Sequence, residues 1–520
     1  MPLTQMTGWV RRNGFAVLVA FVILFGIVWT QTVSGFPDPD SFYHAKMAII
    51  LRDDGIIHKW PAFAYTSFPE HFVDHHLLYH YLLIPFVTFF DPLVGIRIVA
   101  GLGAASVFGL LFWILKRLRV PHSHWFVLAA AASVFFFRLS LPKAIAPALF
   151  LFLLGIWLVL SGRHIWLLVL SAAYVWLYDG WPIMMAVAIC FAAADLVAAR
   201  LTKGKADYRT SGKTIGAVGA GLAVGYVLNP YFLDRIHFDV LQIGKMALWN
   251  APSLIRVGGE WNSVGFMNLL ANIPWVVVFF LGTLACWFVS IVKFRPVPDK
   301  ESLKTLVFFS LLAAGSMAFS FKSQRFFEYS VPLSIILSGL LWKQAWPWVE
   351  GVFLKGFSNK QMLTAALGTC MIVVFGSQLR EQHANGNDYA LQDFRPAAEW
   401  IQAHVPPNEI VFHLPWDFSL ILWYLDDTHR YVVGLDPRFL QDFDERRARA
   451  YGELMIGEGD PGLIPALFDA HVLVYNAPSA IPFTKQLEAA GWEEVPLPEG
   501  DVHLFIQKGY ESRPRNSDTQ

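Results

Sequence analysis

About eleven stretches of this chain are apolar over nearly the length needed to cross a lipid bilayer, and no other feature limits its possible folds so sharply. They fall at 15–33, 94–115, 125–137, 145–160, 165–177, 184–199, 215–228, 267–292, 303–319, 331–342 and 363–376. In hydrocarbon every backbone N–H and C=O must be paired within the protein, and runs of this kind manage that as helices. A further apolar segment, 75–90, opens on Asp74, His75 and His76 and contains His80. That polar start suits a helix lying in the interface, with a further span as the alternative. The expectation is a polytopic α-helical membrane protein of 11 to 13 helices. Composition agrees, with 55% hydrophobic and only 15% charged residues. Lys and Arg equal Asp and Glu in number, so no basic field points to nucleic acid. Cys190, Cys286 and Cys370 all lie in apolar runs without metal-ligand spacing and read as core residues.

Basic residues orient the chain. Arg11 and Arg12 precede the first run, and alternate loops collect Lys116, Arg117 and Arg119, then Arg163, Arg200 to Lys213, Lys293 to Lys304, and Lys343, Lys355 and Lys360. The positive-inside rule then puts the N-terminus in the cytoplasm and the first run in place as a retained anchor. An odd number of spans leaves everything after 376 outside. The expected layout is a transmembrane domain, 1–377, with a first outer loop at 34–93 and a long one at 229–266, followed by an extracytoplasmic domain, 378–520. That tail alternates helix-like segments (396–405, 420–425, 438–454, 483–490) with strand-like ones (410–414, 431–435, 472–475, 502–507) and reads as α/β. The end, 512–520, is polar.

With this layout the unusual polar residues sort onto the outer face. The stretch F-P-D-P-D-S-F-Y-H-A-K, 36–46, brings Asp38, Asp40 and His44 to the membrane edge. Carboxylates there are costly without a task or a partner. Others on the same face are Asp74, His75 and His76, Arg138 and Lys143, Asp179, Glu260, Lys322 and Arg325, and the pair Trp416 and Asp417. Each has a plainer reading. Asp40 caps a helix, Arg138, Lys143 and Arg325 snorkel, Asp179 makes a turn, Glu260 is solvated in a loop, and the histidines are interfacial. Together they suit a site for an anionic, membrane-borne substrate.

These residues also carry a resemblance. D-S-F-Y-H-A-K, 40–46, and P-E-H-F-V-D-H-H-L-L-Y-H-Y-L-L, 69–83, resemble the first outer loop of the oligosaccharyltransferase catalytic-subunit family, which are membrane glycosyltransferases of the GT-C class. Y-D-G-W-P, 178–182, is similar to that family's outer turn, V-G-G-E-W, 257–261, to its Glu-bearing loop, and S-Q-R-F-F-E-Y, 323–329, to its phosphate-contacting segment. P-W-D-F-S, 415–419, stands where the family has W-W-D-Y-G, and the family's acidic pair in the second outer loop is replaced by R-L-S-L-P-K-A-I-A-P, 138–147.

The resemblance implies a GT-C core with an extracytoplasmic α/β domain. It implies transfer, with inversion, of a sugar or oligosaccharide from a polyprenyl phosphate or pyrophosphate to a protein, lipid or glycan acceptor. Asp40, as base or metal ligand, and Glu260 would be catalytic, and the two would hold a divalent cation, Mg²⁺ or Mn²⁺. Arg325, Lys143 and Arg138 would meet the donor phosphate, with Lys143 able to stand in for metal charge. His44, His75, His76, Trp416 and Asp417 would complete substrate binding. The rival readings are a transporter or flippase of lipid-linked glycans and a non-catalytic scaffold with an outer sensor domain. The segment G-L-D-P-R-F, 434–439, has no role in any of them.

Overall fold

The computed structural model describes residues 3–248, 253–294, 299–353, 360–476, 483–498 and 501–510. Arg295, Lys355 and the polar end 512–520 lie outside the described residues. The first part is helical: α1 (Leu3–Thr30), α2 (Asp40–Asp53), α3 (Leu77–Phe89), α4 (Pro92–Arg117), α5 (Ser123–Ala131), α6 (Val134–Ser140), α7 (Ile145–Leu160) and α8 (His164–Leu177). There follow α9 (Ile183–Leu201), α10 (Tyr208–Val227), α11 (Phe232–Asp239), α12 (Phe266–Asn272), α13 (Pro274–Phe294), α14 (Lys300–Lys322), α15 (Phe327–Trp348) and α16 (Lys360–Asn385).

By length and composition α4, α9, α13 and α14 can cross a membrane, and two bent pairs raise four spans to six among the described residues. Shorter apolar helices, α3, α7, α8 and the Gly14–Thr30 part of α1, accompany them. This is fewer than the 11 to 13 expected, because several apolar runs are not single straight helices. The run at 125–137 breaks at Ser133, whose extended backbone ends α5 and whose Oγ accepts the Phe135 N–H at 3.3 Å to start α6, bent by 74°. The run at 215–228 belongs to α10, which turns through 113° into 232–244. The polar start of the 75–90 segment is packed inside the protein, with His75 and His76 buried and His80 of α3 fully enclosed against His44 of α2.

Helix α16 continues through residue 377, and the α/β unit follows it. Its helices are α17 (Leu391–His404), α18 (Phe418–Leu425), α19 (Arg438–Phe443), α20 (Glu445–Met455), α21 (Ile464–Phe468) and α22 (Phe483–Ala489). The strands β1 (Ile410–Leu414), β2 (Arg430–Tyr431), β3 (Ala470–Asn476), β4 (Trp492–Val495) and β5 (Val502–Gln507) form one sheet in the order β2-β1-β3-β5-β4. β1 pairs parallel with β2 and β3, and β5 pairs antiparallel with β3 and β4. The expected helix at 438–454 is two helices, because the Asp444 carboxylate accepts the Arg447 N–H at 3.0 Å and restarts the chain as α20.

The unit is fused to the bundle. Residues 62–65 run beside β2, with Tyr431 N–H donating to Ala62 O at 2.7 Å and Ala64 N–H to Tyr431 O at 2.8 Å. Trp60 packs edge-on to Trp423 with centroids 4.7 Å apart. At the other junction Phe36 and Tyr389 exchange backbone hydrogen bonds of 2.9 and 3.0 Å. Arg97 of α4 stacks over Phe36 and donates to the Gln31, Val33, Ser34 and Gly35 carbonyls, fixing the chain that leads into α2.

Candidate active site

The entry to α2 shows how the first motif is built. Pro39 holds the N-cap position and has no side chain to cap with, so Asp38 does it, its Oδ1 accepting the Asp40 N–H at 2.9 Å. Asp40 opens the helix and is free of that task. Its Oδ2 lies 2.7 Å from Lys143 Nζ, and Asp38 Oδ2 lies 2.6 Å from the same atom. Asp40 is therefore an ion-pair partner, and the cap reading passes to Asp38. Lys143 is buried, in the loop between α6 and α7. Burial disfavours its charge, but Asp38, Asp40 and Glu260 outweigh that and hold the ammonium above the usual lysine range. Asp38 goes the other way. Burial raises its carboxyl to about 6 against the pull of Lys143.

From Lys143 a charged network runs into the bundle. Arg138 reaches Glu260 at 2.8 Å and grips Glu328 of α15 with two N–H groups. A snorkelling arginine would leave the protein, whereas this one is buried between two carboxylates. Arg325, between α14 and α15, lies 3.8 Å from Glu260 and 3.5 Å from Asp179. It donates to the Tyr178 hydroxyl at 2.8 and 3.1 Å and stacks over Trp261, 4.9 Å from its centroid. Burial pushes Glu260 up, but Arg138, Lys143 and Arg325 together pull it well below the carboxylate range. The loop carrying Glu260 is tied to the end of α14: Ser323 Oγ donates to Glu260 O at 2.8 Å, and Gln324 N–H to Asn262 O at 3.2 Å.

These groups line a pocket of about 70 Å³ at the end of the bundle that carries the α/β unit. Asp40, His44, His75, His76, Arg138, Lys143, Glu260 and Arg325 all face it, so eight of the ten expected site residues meet in one place. The histidines are neutral. Burial, then the neighbouring imidazoles, keep His44 well below the usual histidine range, and burial does the same for His75 and His76.

Trp416 and Asp417 are elsewhere. Trp416 Nε1–H donates to Arg256 O at 3.1 Å, and Asp417 accepts the Tyr389 hydroxyl. Their place in the pocket is taken by the segment with no expected role. Leu435, Asp436 and Phe439 form the wall contributed by the α/β unit. Only a glycine fits at 434, where a Cβ would meet the Phe63 ring at 2.3 Å, and Leu435 takes a φ of 66° to turn the chain inward. Asp436 is buried, and burial raises its carboxyl from 3.8 to about 7, opposed by the Arg438 N–H and guanidinium and helped by Glu260 and Asp40.

A second cavity, of about 320 Å³ and almost wholly apolar, lies between α9, α14 and α15. Ile183, Leu311, Phe319 and Leu333 line it, and Tyr178, Trp261 and Arg325 border both spaces. A greasy groove therefore ends at a guanidinium.

Asp40 and Glu260 do not converge as metal ligands. Asp38 and Asp40 converge instead on the Lys143 ammonium, Glu260 faces the two guanidinium groups, and no group of three or more His, Cys, Asp or Glu side chains suited to an ion occurs among the described residues. In this arrangement the donor set does not fit a resident divalent cation.

No protein-family model matches the chain, and no curated protein matches it in sequence. Solved structures do match in fold. The apo oligosaccharyltransferase of Archaeoglobus fulgidus is 10% identical with a TM-score of 0.58, over 98% of this chain and 76% of that one. The Archaeoglobus fulgidus oligosaccharyltransferase AglB, in complex with an inhibitory peptide and a dolichol-phosphate, is 12% identical with a TM-score of 0.55, over 90% and 70%. ArnT from Cupriavidus metallidurans, bound to undecaprenyl phosphate, is 12% identical with a TM-score of 0.58, over 97% of this chain and 100% of that one. The likeness is to the GT-C fold, at an identity that speaks for architecture alone.

Proposed function

We propose that the chain is a membrane glycosyltransferase that moves a sugar or oligosaccharide from a polyprenyl phosphate or pyrophosphate to a protein, lipid or glycan acceptor on the extracytoplasmic face. One observation carries this reading: the apolar groove and the charged pocket share Arg325, Tyr178 and Trp261 as their border. A ligand suited to both has a long hydrocarbon tail, an anionic junction and a polar head, which describes a lipid-linked sugar. The tail lies along α9, α14 and α15, the phosphate meets Arg325, and the sugar enters the pocket beside Lys143 and His44.

Transfer needs positive charge on the leaving phosphate and a base for the acceptor. Arg325 supplies the first, with a planar fork matched to phosphate oxygens. Lys143 and Arg138 add charge that their carboxylates hold in place. The expected course is single displacement with inversion. A transporter would need its charged groups open to both sides of the bilayer, whereas these are gathered at one end of the bundle.

The test is transfer of radiolabelled sugar from a polyprenyl-linked donor by the purified protein, with Arg325→Lys as the probe. Keeping the charge while losing the fork is expected to lower turnover by at least about 10-fold, roughly 1.4 kcal/mol of barrier. Full activity of Arg325→Lys at limiting and saturating donor would remove Arg325 from the phosphate. No transfer by the unaltered protein from any lipid-linked sugar pool would remove the reaction itself.

A further inference from the structure

The charged pocket has one conspicuous omission. Asp38 and Asp40 are engaged with Lys143, and Glu260 with Arg138 and Arg325, so protonating any of these three breaks an ion pair. The fourth carboxyl, Asp436, accepts the Arg438 N–H at 2.8 Å, and burial holds its proton on up to about pH 7. A buried chain of three side chains ends in the same pocket without such a partner. Asp74 Oδ2 lies 2.7 Å from His80 Nδ1, and His80 Nε2 lies 2.8 Å from His44 Nδ1. All three residues are at most 2% exposed.

The order of hydrogens along this chain follows from its first member. An ionised carboxylate only accepts. Asp74 Oδ1 already accepts the His76 N–H at 3.0 Å, so Oδ2 takes its hydrogen from His80 Nδ1. With one hydrogen on the His80 ring, and that one on Nδ1, His80 Nε2 is an acceptor and takes its bond from His44 Nδ1–H. That leaves His44 Nε2 with a bare lone pair, and it makes no hydrogen bond to the described residues while the ring lines the pocket.

We propose that His44 is the general base of the transfer reaction and that His80 and Asp74 are its positioning residues. The assignment rests on the reaction proposed above. The acceptor hydroxyl oxygen bonds to the anomeric carbon of the donor sugar as the bond from that carbon to the carrier phosphate oxygen breaks. The phosphate leaves with the electron pair, and the hydroxyl proton passes to His44 Nε2. The resulting imidazolium is stabilised through His80 by the buried Asp74 carboxylate and releases its proton to water after the product departs. A base of this kind suits an acceptor hydroxyl, on a sugar, lipid or side chain, and narrows the acceptor class to alcohols. His76 is the nearest competitor, since its Nδ1–H donates to Leu177 O at 3.2 Å and leaves its Nε2 bare as well. A neutral carbonyl fixes that ring but cannot offset the positive charge it would gain, whereas a carboxylate can.

The experiment has two arms, both on the full-length protein in nanodiscs. In the first, ¹⁵N-histidine NMR reads the tautomer of His44 without any substrate. An Nδ1–H form is expected, reversed to Nε2–H in Asp74→Asn, whose amide would donate to His80. An Nε2–H form in the unaltered protein would overturn the proposal. In the second, transfer is followed from a tritiated-sugar lipid extract of cells that carry the gene. His44→Ala should lose about 10²- to 10⁴-fold in turnover. Added imidazoles should restore it by at least tenfold, with rates that rise with the basicity of the imidazole. Asp74→Asn should lower kcat with little change in donor KM and should gain nothing from imidazole, because His44 still fills the space. Rescue indifferent to basicity would make His44 a packing residue, and rescue of His76→Ala in place of His44→Ala would move the base one ring over; either overturns the assignment. If the unaltered protein transfers no sugar, the reaction and the base fall together, and only the order of hydrogens read in the first arm stands.

Discussion

Lys143 sits within 2.7 Å of both Asp38 and Asp40, where a divalent ion would otherwise bridge two carboxylates. If the ammonium fills that role, chelation should leave the transfer activity of the unaltered protein within about twofold. Lys143→Ala should lose most activity and regain part of it with Mn²⁺, the two aspartates then being free to bind it. An assay with EDTA and then added metal decides this, and complete loss on chelation of the unaltered protein would reject it. Asp436 gives a pH test. Its carboxyl is raised from 3.8 to about 7, so the folded state holds the proton more tightly than the unfolded chain. The neutral acid's contribution is complete below about 4 and is lost as pH rises through about 7. Asp436→Asn should therefore gain stability relative to the unaltered protein between pH 5 and 8, measured by thermal unfolding in detergent. Single residues were unevenly legible. Asp40, Glu260 and Arg325 stood out because charge beside hydrocarbon is rare. Asp436 did not, because V-V-G-L before it reads as a buried strand, and only the fold shows the chain turning inward at Leu435. Glu328 is not legible in the sequence, because nothing there pairs it with Arg138.

At the scale of elements, the groove between α9, α14 and α15 makes the next prediction. Gly315 lines it, and a Cβ built there meets nothing within 4 Å. Gly315→Phe should fill the groove without disturbing its walls. Donor KM should rise about tenfold or more for full-length polyprenyl carriers and much less for carriers of two or three isoprene units. Equal effects on long and short carriers would place the tail elsewhere. The strands β1 and β5 are readable as short, mostly apolar runs with β-branched residues, bounded by polar or turn residues. β4 is not, since in Trp492–Val495 only the two end residues are buried and the two between are exposed glutamates. Helix breaks were hidden for a related reason. Ser133 is one small polar residue in an apolar run, and its capping bond depends on geometry that hydropathy does not report.

The whole molecule is one helical body and one α/β unit sharing a pocket. The positive-inside rule, applied to the charge bias of the loops, predicts that this pocket and the C-terminal unit lie outside the cytoplasm. A C-terminal reporter that functions only outside should therefore be active in intact cells, and a cytoplasmic reporter at the same end should be silent. The reverse result would invert the protein in the membrane. Architecture was legible at this scale because hydropathy and charge act over whole segments. The number of spans was not, because bending at α5–α6 and α10–α11 depends on local breaks. The wall formed by Leu435, Asp436 and Phe439 has a further consequence, for biosynthesis. A chain emerging from the ribosome delivers these residues only after every membrane helix, and domains fold largely in the order they are made. Until then the histidines and ion pairs of the pocket stand open on one side. On the proposed function, loss of the last part of the message would leave a membrane-inserted protein whose pocket lacks one wall and which transfers no sugar.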